Sequence, residues 1–222
     1  MPHEWIVLFE DLSRASGETA AMVAISSLFA VAVGLPAGYL LYIGERRLFW
    51  DNALFHRVAG VWVNVVRSVP FVILLVLLLP LTQFLLGTTI GPIAAAVPLS
   101  VAAIAFYARL VEGALCEVDS GVIEAAQAFG ASPARILGVV LLREALPGFV
   151  RGFTITLISL VGYSAMAGIV GGGGVGDLAI RFGYYRYQTD VMLVTVVLLI
   201  VLVQVIQTVG DRVAARSDRK GA

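Results

Sequence analysis

Four stretches of this sequence, 19–44, 68–108, 152–176 and 191–210, contain no Asp, Glu, Lys or Arg. A helix needs roughly 20 apolar residues to cross the hydrocarbon core of a bilayer, and each stretch is at least that long. The stretch 68–108 is about twice what one crossing requires. It is interrupted at Gly87-Thr88-Thr89-Ile90-Gly91-Pro92, a turn signal, so it reads as two helices in a hairpin. The expected fold is therefore an all-α integral membrane protein with five transmembrane helices, at about 19–43, 60–83, 92–115, 150–172 and 189–211. No repeat, linker or low-complexity tract divides the chain, and 1–222 reads as a single domain.

Composition agrees. Hydrophobic residues make up 59% of the chain and charged residues 14%, against about 45–50% and 25% in soluble domains. The net charge of zero gives no reason to expect nucleic acid as a partner. One cysteine, Cys116, excludes an intrachain disulfide framework, and the two histidines, His3 and His56, lack a metal-ligand spacing.

Orientation follows from the distribution of Arg and Lys. Arg46, Arg47 and Arg57, then Arg135 and Arg143, then Arg212, Arg216, Arg219 and Lys220 fall on one side, while Arg14, Arg181 and Arg186 fall on the other. The richer side is expected to be cytoplasmic, with the N-terminus outside and the C-terminus cytoplasmic. The start of the chain does not read as a cleavable signal, being acidic at Glu4, Glu10 and Asp11 before a long apolar run. Trp5, Ile6, Leu8, Phe9 and Leu12 share one side of a short helix, which suggests either a segment lying on the outer membrane surface or a frayed terminus.

The spans are poor in chemistry. A membrane enzyme gathers carboxylates, histidines or a nucleophile at one depth, and ion-coupled transporters leave acidic groups inside the bilayer. No predicted span has Asp or Glu at its centre; Glu112 and Glu117 lie at the cytoplasmic end of the third. The chain is not expected to be an enzyme, nor to carry an energy source of its own.

A polar island, Glu124-Ala125-Ala126-Gln127-Ala128-Phe129-Gly130 followed by Ala131-Ser132-Pro133, separates the third and fourth spans. Gly130 suits the left-handed end of one helix, Ser132 the N-cap of the next, and Pro133 its first turn. Val122, Ala125, Ala126 and Phe129 form an apolar stripe at helical spacing. Its small centre would admit another surface closely, with Phe129 as an anchor and Glu124 as a partner for a basic group. The same stripe could equally rest on the chain's own helices.

Glu-Ala-Ala followed after three residues by Gly, in a cytoplasmic loop about 90 residues from the C-terminus, resembles the signature of permease subunits of bacterial ABC importers. In that family the motif is a coupling helix docked into a groove of the ATP-binding subunit. The resemblance gives Glu124, Ala125, Ala126, Phe129 and Gly130 an ATPase-coupling role within a loop of about 118–146. The family pattern resumes nine residues later as Ile-x-Leu-Pro; here it reads Val140-Leu141-Leu142-Arg143, with Arg143 in place of proline and a Leu146-Pro147 pair following. With Arg143 the helix is expected to run to about Ala145 and stop before Pro147.

Further stretches resemble the methionine-import permeases: Arg67-Ser68-Val69-Pro70-Phe71, Glu144-Ala145-Leu146-Pro147-Gly148, and 160–168 from Leu160 through Tyr163, Ser164 and Met166 to Gly168. So do the chain's size and the glycine-rich approach to Asp177 and Tyr184. The resemblance implies a methionine permease of the bacterial inner membrane. Its partners would be a second copy of itself, two ATP-binding subunits and an extracytoplasmic binding protein, with ATP bound by the ATPase and no cofactor in this chain. A permease for another amino acid or a quaternary amine, or a scaffold recruiting a non-ATPase partner, are the alternatives.

Tyr163, Ser164 and Met166 are the candidates for the translocation path, although ordinary helix packing also explains them. Thr154, Thr156 and Ser159 offer hydroxyls to the same span. Gly171 to Gly174 is not a phosphate loop, since no Lys-Ser/Thr follows; it reads as a flexible turn or a contact for the binding protein. Tyr184, Tyr185 and Tyr187 suggest an interfacial aromatic belt. Arg67 is placed to reach the interface from the end of span two, or to meet a substrate carboxylate. Pro36, Pro70 and Pro98 are expected to kink their spans, and Gly34 with Gly38 to allow close helix packing.

Overall fold

The computed structural model describes residues 2–46 and 53–218, and side chains within these except those of residues 2–7, 45–46 and 53–57. Arg47, Arg219 and Lys220, used in the orientation argument, lie outside the described residues, as do the side chains of Trp5, Ile6, Arg46 and Arg57. Among the described residues all regular structure is helical.

The first helix, α1, runs unbroken through Pro2–Phe29, a π-helical turn Ala30–Gly34, and Leu35–Arg46. Its apolar part, Leu8–Gly44, is 37 residues long, about 55 Å at 1.5 Å per residue, against a hydrocarbon core of about 30 Å. The helix is longer than the expected span 19–43 and continues into the N-terminal segment expected either to lie on the membrane surface or to fray. Leu8 and Leu12 pack against Val175, Leu178 and Val191, a small cluster that ties the start of the helix to the later part of the chain.

The second expected span is not one straight helix. Helix α2 (Ala53–Ser68) ends two residues before Pro70, α3 (Phe71–Leu77) departs at 109° from it, and α4 (Leu79–Leu86) follows after Leu78. Pro70 supplies no N–H and disfavours helical backbone at Val69. Phe71, Leu74 and Leu75 are buried against the rest of the bundle, so the bend is fixed by packing. Among the described residues four helices are long and apolar enough to cross a membrane, and the count reaches five when the bent pair is one crossing.

Helix α5 (Pro92–Cys116) is the hub, packed against α1, α2, α3, α4 and α7. Its lining is small: Ala94, Ala95, Ala96, Ala102, Ala103, Ala105 and Ala108 are all buried. Gly34 and Gly38 press α1 onto it. A Cβ on Gly38 would sit 2.6 Å from the Ala108 carbonyl oxygen, so the close approach depends on glycine there.

After α6 (Ser120–Ala128), helix α7 runs without interruption through Pro133–Arg135, a π-helical turn Ile136–Leu141, and Leu142–Gly168. The expected stop before Pro147 does not occur. Ala145 and Phe149 are buried on either side of the proline, and Gly148 abuts Ala114 of α5, so packing carries the helix across the missing hydrogen bond. Short α8 (Gly174–Leu178), a π-helical turn Ala179–Tyr184, and α9 (Thr189–Ser217) complete the fold.

The glycine segment before α8 is packed, not a loose turn. Glu18 of α1 accepts a hydrogen bond from the Gly174 N–H at 2.8 Å, and the Thr19 hydroxyl accepts one from Val175 at 3.0 Å. Gly91 donates to the Gly171 carbonyl at 2.9 Å, which brings the 84–91 turn and the glycine segment to the same end of the bundle.

Candidate coupling surface and translocation face

The island forms the compact helix-turn-helix its sequence describes. Asp119 caps α6, its carboxylate accepting from the Gly121 N–H at 2.7 Å. At the other end Gly130 has φ +73°, Ala131 donates to the Ala126 carbonyl, and Gly130 donates to Gln127. This is a Schellman closure, which places a left-handed residue at Gly130. Ser132 stands at the N-cap of α7 and Pro133 in its first turn, but Ser132 caps through its backbone carbonyl, not its hydroxyl.

The apolar stripe divides between two faces. Ile123, 4% exposed, is the residue that anchors α6 to the bundle, with Ala126 packed beside it. Sequence reading passed over Ile123; its signal was being the largest aliphatic side chain of the short helix, three residues before Ala126. Glu124, Ala125 and Gly130 face outward, and Phe129 is 92% exposed. A phenylalanine held in open solvent by a rigid turn, beside an alanine one helical turn back, is a ready-made knob for a hydrophobic socket.

The candidate path residues are placed differently from one another. Tyr163 stacks on Phe71 of α3, ring centroids 4.5 Å apart and planes at 13°. Together with Val66, Arg67, Val69 and Phe106 they line a cavity of about 150 Å³, which brings Arg67 to the same site. Met166 is 41% exposed, one turn from Tyr163. Ser164 is buried, its hydroxyl donating to the Val161 carbonyl at 2.8 Å. Thr154, Thr156 and Ser159 likewise donate to carbonyls of their own helix. Tyr163 and Met166 thus share an accessible side of α7 that Ser164 does not reach.

Next to this region the cluster Asn64, Arg109 and Glu112 links α2 to α5: Arg109 donates to both the side-chain amide oxygen of Asn64 and the Glu112 carboxylate. Glu112 is buried but held in this ion pair, which removes the cost of an isolated charge. Tyr184, Tyr185 and Tyr187 are all exposed, beside Arg181 and Arg186 stacked on Phe182. Among the described residues no group of three or more His, Cys, Asp or Glu is placed to hold a metal.

A family model described as the binding-protein-dependent transport system inner membrane component matches residues 30–220. The chain belongs to this family. It is therefore a membrane-spanning transport component, not an enzyme, as the Glu124–Gly130 motif led one to expect. A Vibrio cholerae protein named Probable D-methionine transport system permease protein MetI is 49% identical over 218 residues, 98% of this chain and 97% of its own length. A Bacillus subtilis protein named Methionine import system permease protein MetP is 43% identical over 82% of each chain. Among solved structures, the inward-facing MetNI methionine ABC transporter, in its CY5 native crystal form, superposes with a TM-score of 0.91 at 47% identity, covering 98% of this chain and 99% of that one. An amino acid ABC transporter crystallised with histidines has the same fold, with a TM-score of 0.74 at 17% identity.

Proposed function

We propose that this chain is the permease subunit of an ATP-driven methionine importer, working as a homodimer with two ATP-binding subunits and an extracytoplasmic binding protein. The observation that carries the reading is the exposed α6–Gly130–α7 corner on a chain about half identical, end to end, to permeases named for methionine. In this reading the N-terminus lies outside, the C-terminus and α6 lie in the cytoplasm, and Ala125 and Phe129 insert into a groove of the ATPase while Glu124 pairs with a basic group at its rim.

Because α7 is one helix from Pro133 to Gly168, displacement of α6 by the closing ATPase subunits would rotate or tilt the element that carries Tyr163 and Met166. The methionine side chain of Met166, unbranched and polarizable, suits an apolar gate that must repack as the path opens. Tyr163 and Phe71 would form an aromatic wall beside Arg67, with Ser164 serving the packing behind them.

The test is uptake of labelled methionine into proteoliposomes holding this chain, its ATPase and its binding protein. ATP-dependent accumulation competed by unlabelled methionine supports the reading. Accumulation of a different cargo under the same conditions would keep the transporter class and discard methionine.

A further inference from the structure

The cavity of about 150 Å³ beside the break in the second span lies near the middle of the bundle, not at its end. Ala102 and Phe106, which line it, flank residue 104, midway along α5 (Pro92–Cys116). Phe71, Phe106 and Tyr163 supply aromatic walls, and Val66, Arg67 and Val69 bring the end of α2 to it. An apolar cavity of about this size admits a molecule as large as benzene. This one therefore has room for a single unbranched side chain, not for a sugar or a peptide.

Two kinds of polar group beside it have no use within the chain. Arg67 is exposed, and among the described residues its guanidinium has neither a hydrogen bond nor an ion pair. Arg109, Arg151 and Arg181, by contrast, are each matched to a carboxylate. The second kind is backbone. Pro70 has no N–H to give the Val66 carbonyl, and after the 109° turn no backbone N–H among the described residues reaches the carbonyl of Val66 or Arg67. A cation and freed carbonyls at this depth of a membrane are costly unless something pairs with them.

These groups together select a zwitterion with a short apolar tail. A guanidinium holds a carboxylate through paired N–H donors. Carbonyls at the C-terminal end of a broken span accept from a cation, and a primary ammonium has donors for them. An unbranched thioether or aliphatic chain suits a small space walled by aromatic rings, the sulfur favourably so. We propose that this chain carries its own resting site for the transported amino acid. The α-carboxylate sits on Arg67, the α-ammonium on the Val66 and Arg67 carbonyl oxygens, and the side chain among Phe71, Phe106 and Tyr163. The site rests on the importer reading above and deepens it, giving the permease a share in choosing the cargo. Met166 lies one turn further along α7 than Tyr163, so the site adjoins the proposed gate.

The test is photo-labelling of the full-length protein with L-photo-methionine, whose side chain carries a diazirine, in the assembly in which the protein purifies. Neither nucleotide nor binding protein is added, and labelled residues are read by peptide mass spectrometry. The expected result is label on α3, Phe106 or Tyr163, reduced at least fivefold by excess L-methionine. Methionine amide, which lacks the carboxylate, and N-acetylmethionine, which lacks the ammonium, should not reduce it. Arg67→Gln should lower the label at least fivefold, and Arg67→Lys should retain part of it. The competition uses the wild-type chain, so it stands where a variant does not fold. No competed label at these positions, or equal competition by all three compounds, would overturn the proposal, as would label unchanged in Arg67→Gln. Uptake by the same assembly in proteoliposomes, with binding protein added, separates the site from the importer reading. Methionine uptake without label defeats the site alone. Label competed better by a different amino acid, which is itself taken up, supports the site and discards methionine as the cargo.

Discussion

Ile123 and Phe129 sit six residues apart on and just beyond one short helix, yet they are opposite in kind, one sealed into the bundle and the other 92% exposed. Ile123→Ala should lower stability by roughly 2 kcal/mol, the usual cost of emptying a buried aliphatic site, seen as a lower melting temperature in detergent. Phe129→Ala should leave the melt within about 0.5 kcal/mol of wild type, while lowering ATPase-coupled transport at least tenfold. A Phe129→Ala chain that transports normally would mean that the knob has no socket. The turn at Gly130 was legible because left-handed backbone after a helix has few residue choices. Which side of the stripe faced in was not, since alanines carry little burial preference and the outcome depended on where Leu115, Ile136 and Leu141 lie. Tyr163, Ser164 and Met166 were legible as soft or polar residues in an apolar helix, but a helix satisfies Ser164 by itself, and only packing separates it from its neighbours.

At the scale of elements, α7 couples the exposed corner to the aromatic wall without a break. The sequence rule that a helix ends before proline failed at Pro147 because burial of Ala145 and Phe149 outweighs one lost hydrogen bond. The same continuity predicts the effect of restoring the proline found in the family pattern. The ladder is already irregular over the π-helical turn Ile136–Leu141, so Arg143→Pro should leave assembly with the ATPase intact and coupling equal or tighter; loss of the ATPase from the purified complex would count against this. The lock between α1 and α8 is a second such element. Glu18→Ala removes a charged acceptor from the Gly174 N–H and should cost about 1–2 kcal/mol, read as faster amide exchange confined to the glycine segment and α8.

At the scale of the whole molecule the design is a hub of alanines with longer helices laid against it. Charge-free runs revealed the crossings because length and hydropathy are set by the bilayer itself. The 109° corner at Pro70 and the length of α1 were less visible, because both depend on contacts between distant segments: Phe71, Leu74 and Leu75 on the bundle in one case, Leu8 and Leu12 on α8 and α9 in the other. Gly38→Leu, which would drive a side chain into the Ala108 carbonyl, should destabilise the bundle by about 3 kcal/mol or more and abolish recovery of monodisperse protein. Tolerance of leucine there would contradict the packing described for α1 on α5.

In the proposed function the α6–Gly130–α7 corner passes ATP-driven motion to the membrane helices. Gly130→Pro tests it, since proline cannot adopt φ +73° and the corner must change shape. In proteoliposomes containing the ATPase and the binding protein, the wild-type chain should accumulate labelled methionine on ATP addition. The Gly130→Pro chain, inserted and spanning the membrane as before, should hydrolyse ATP without accumulation or fail to retain the ATPase. Undiminished ATP-dependent accumulation by the Gly130→Pro chain would contradict the account.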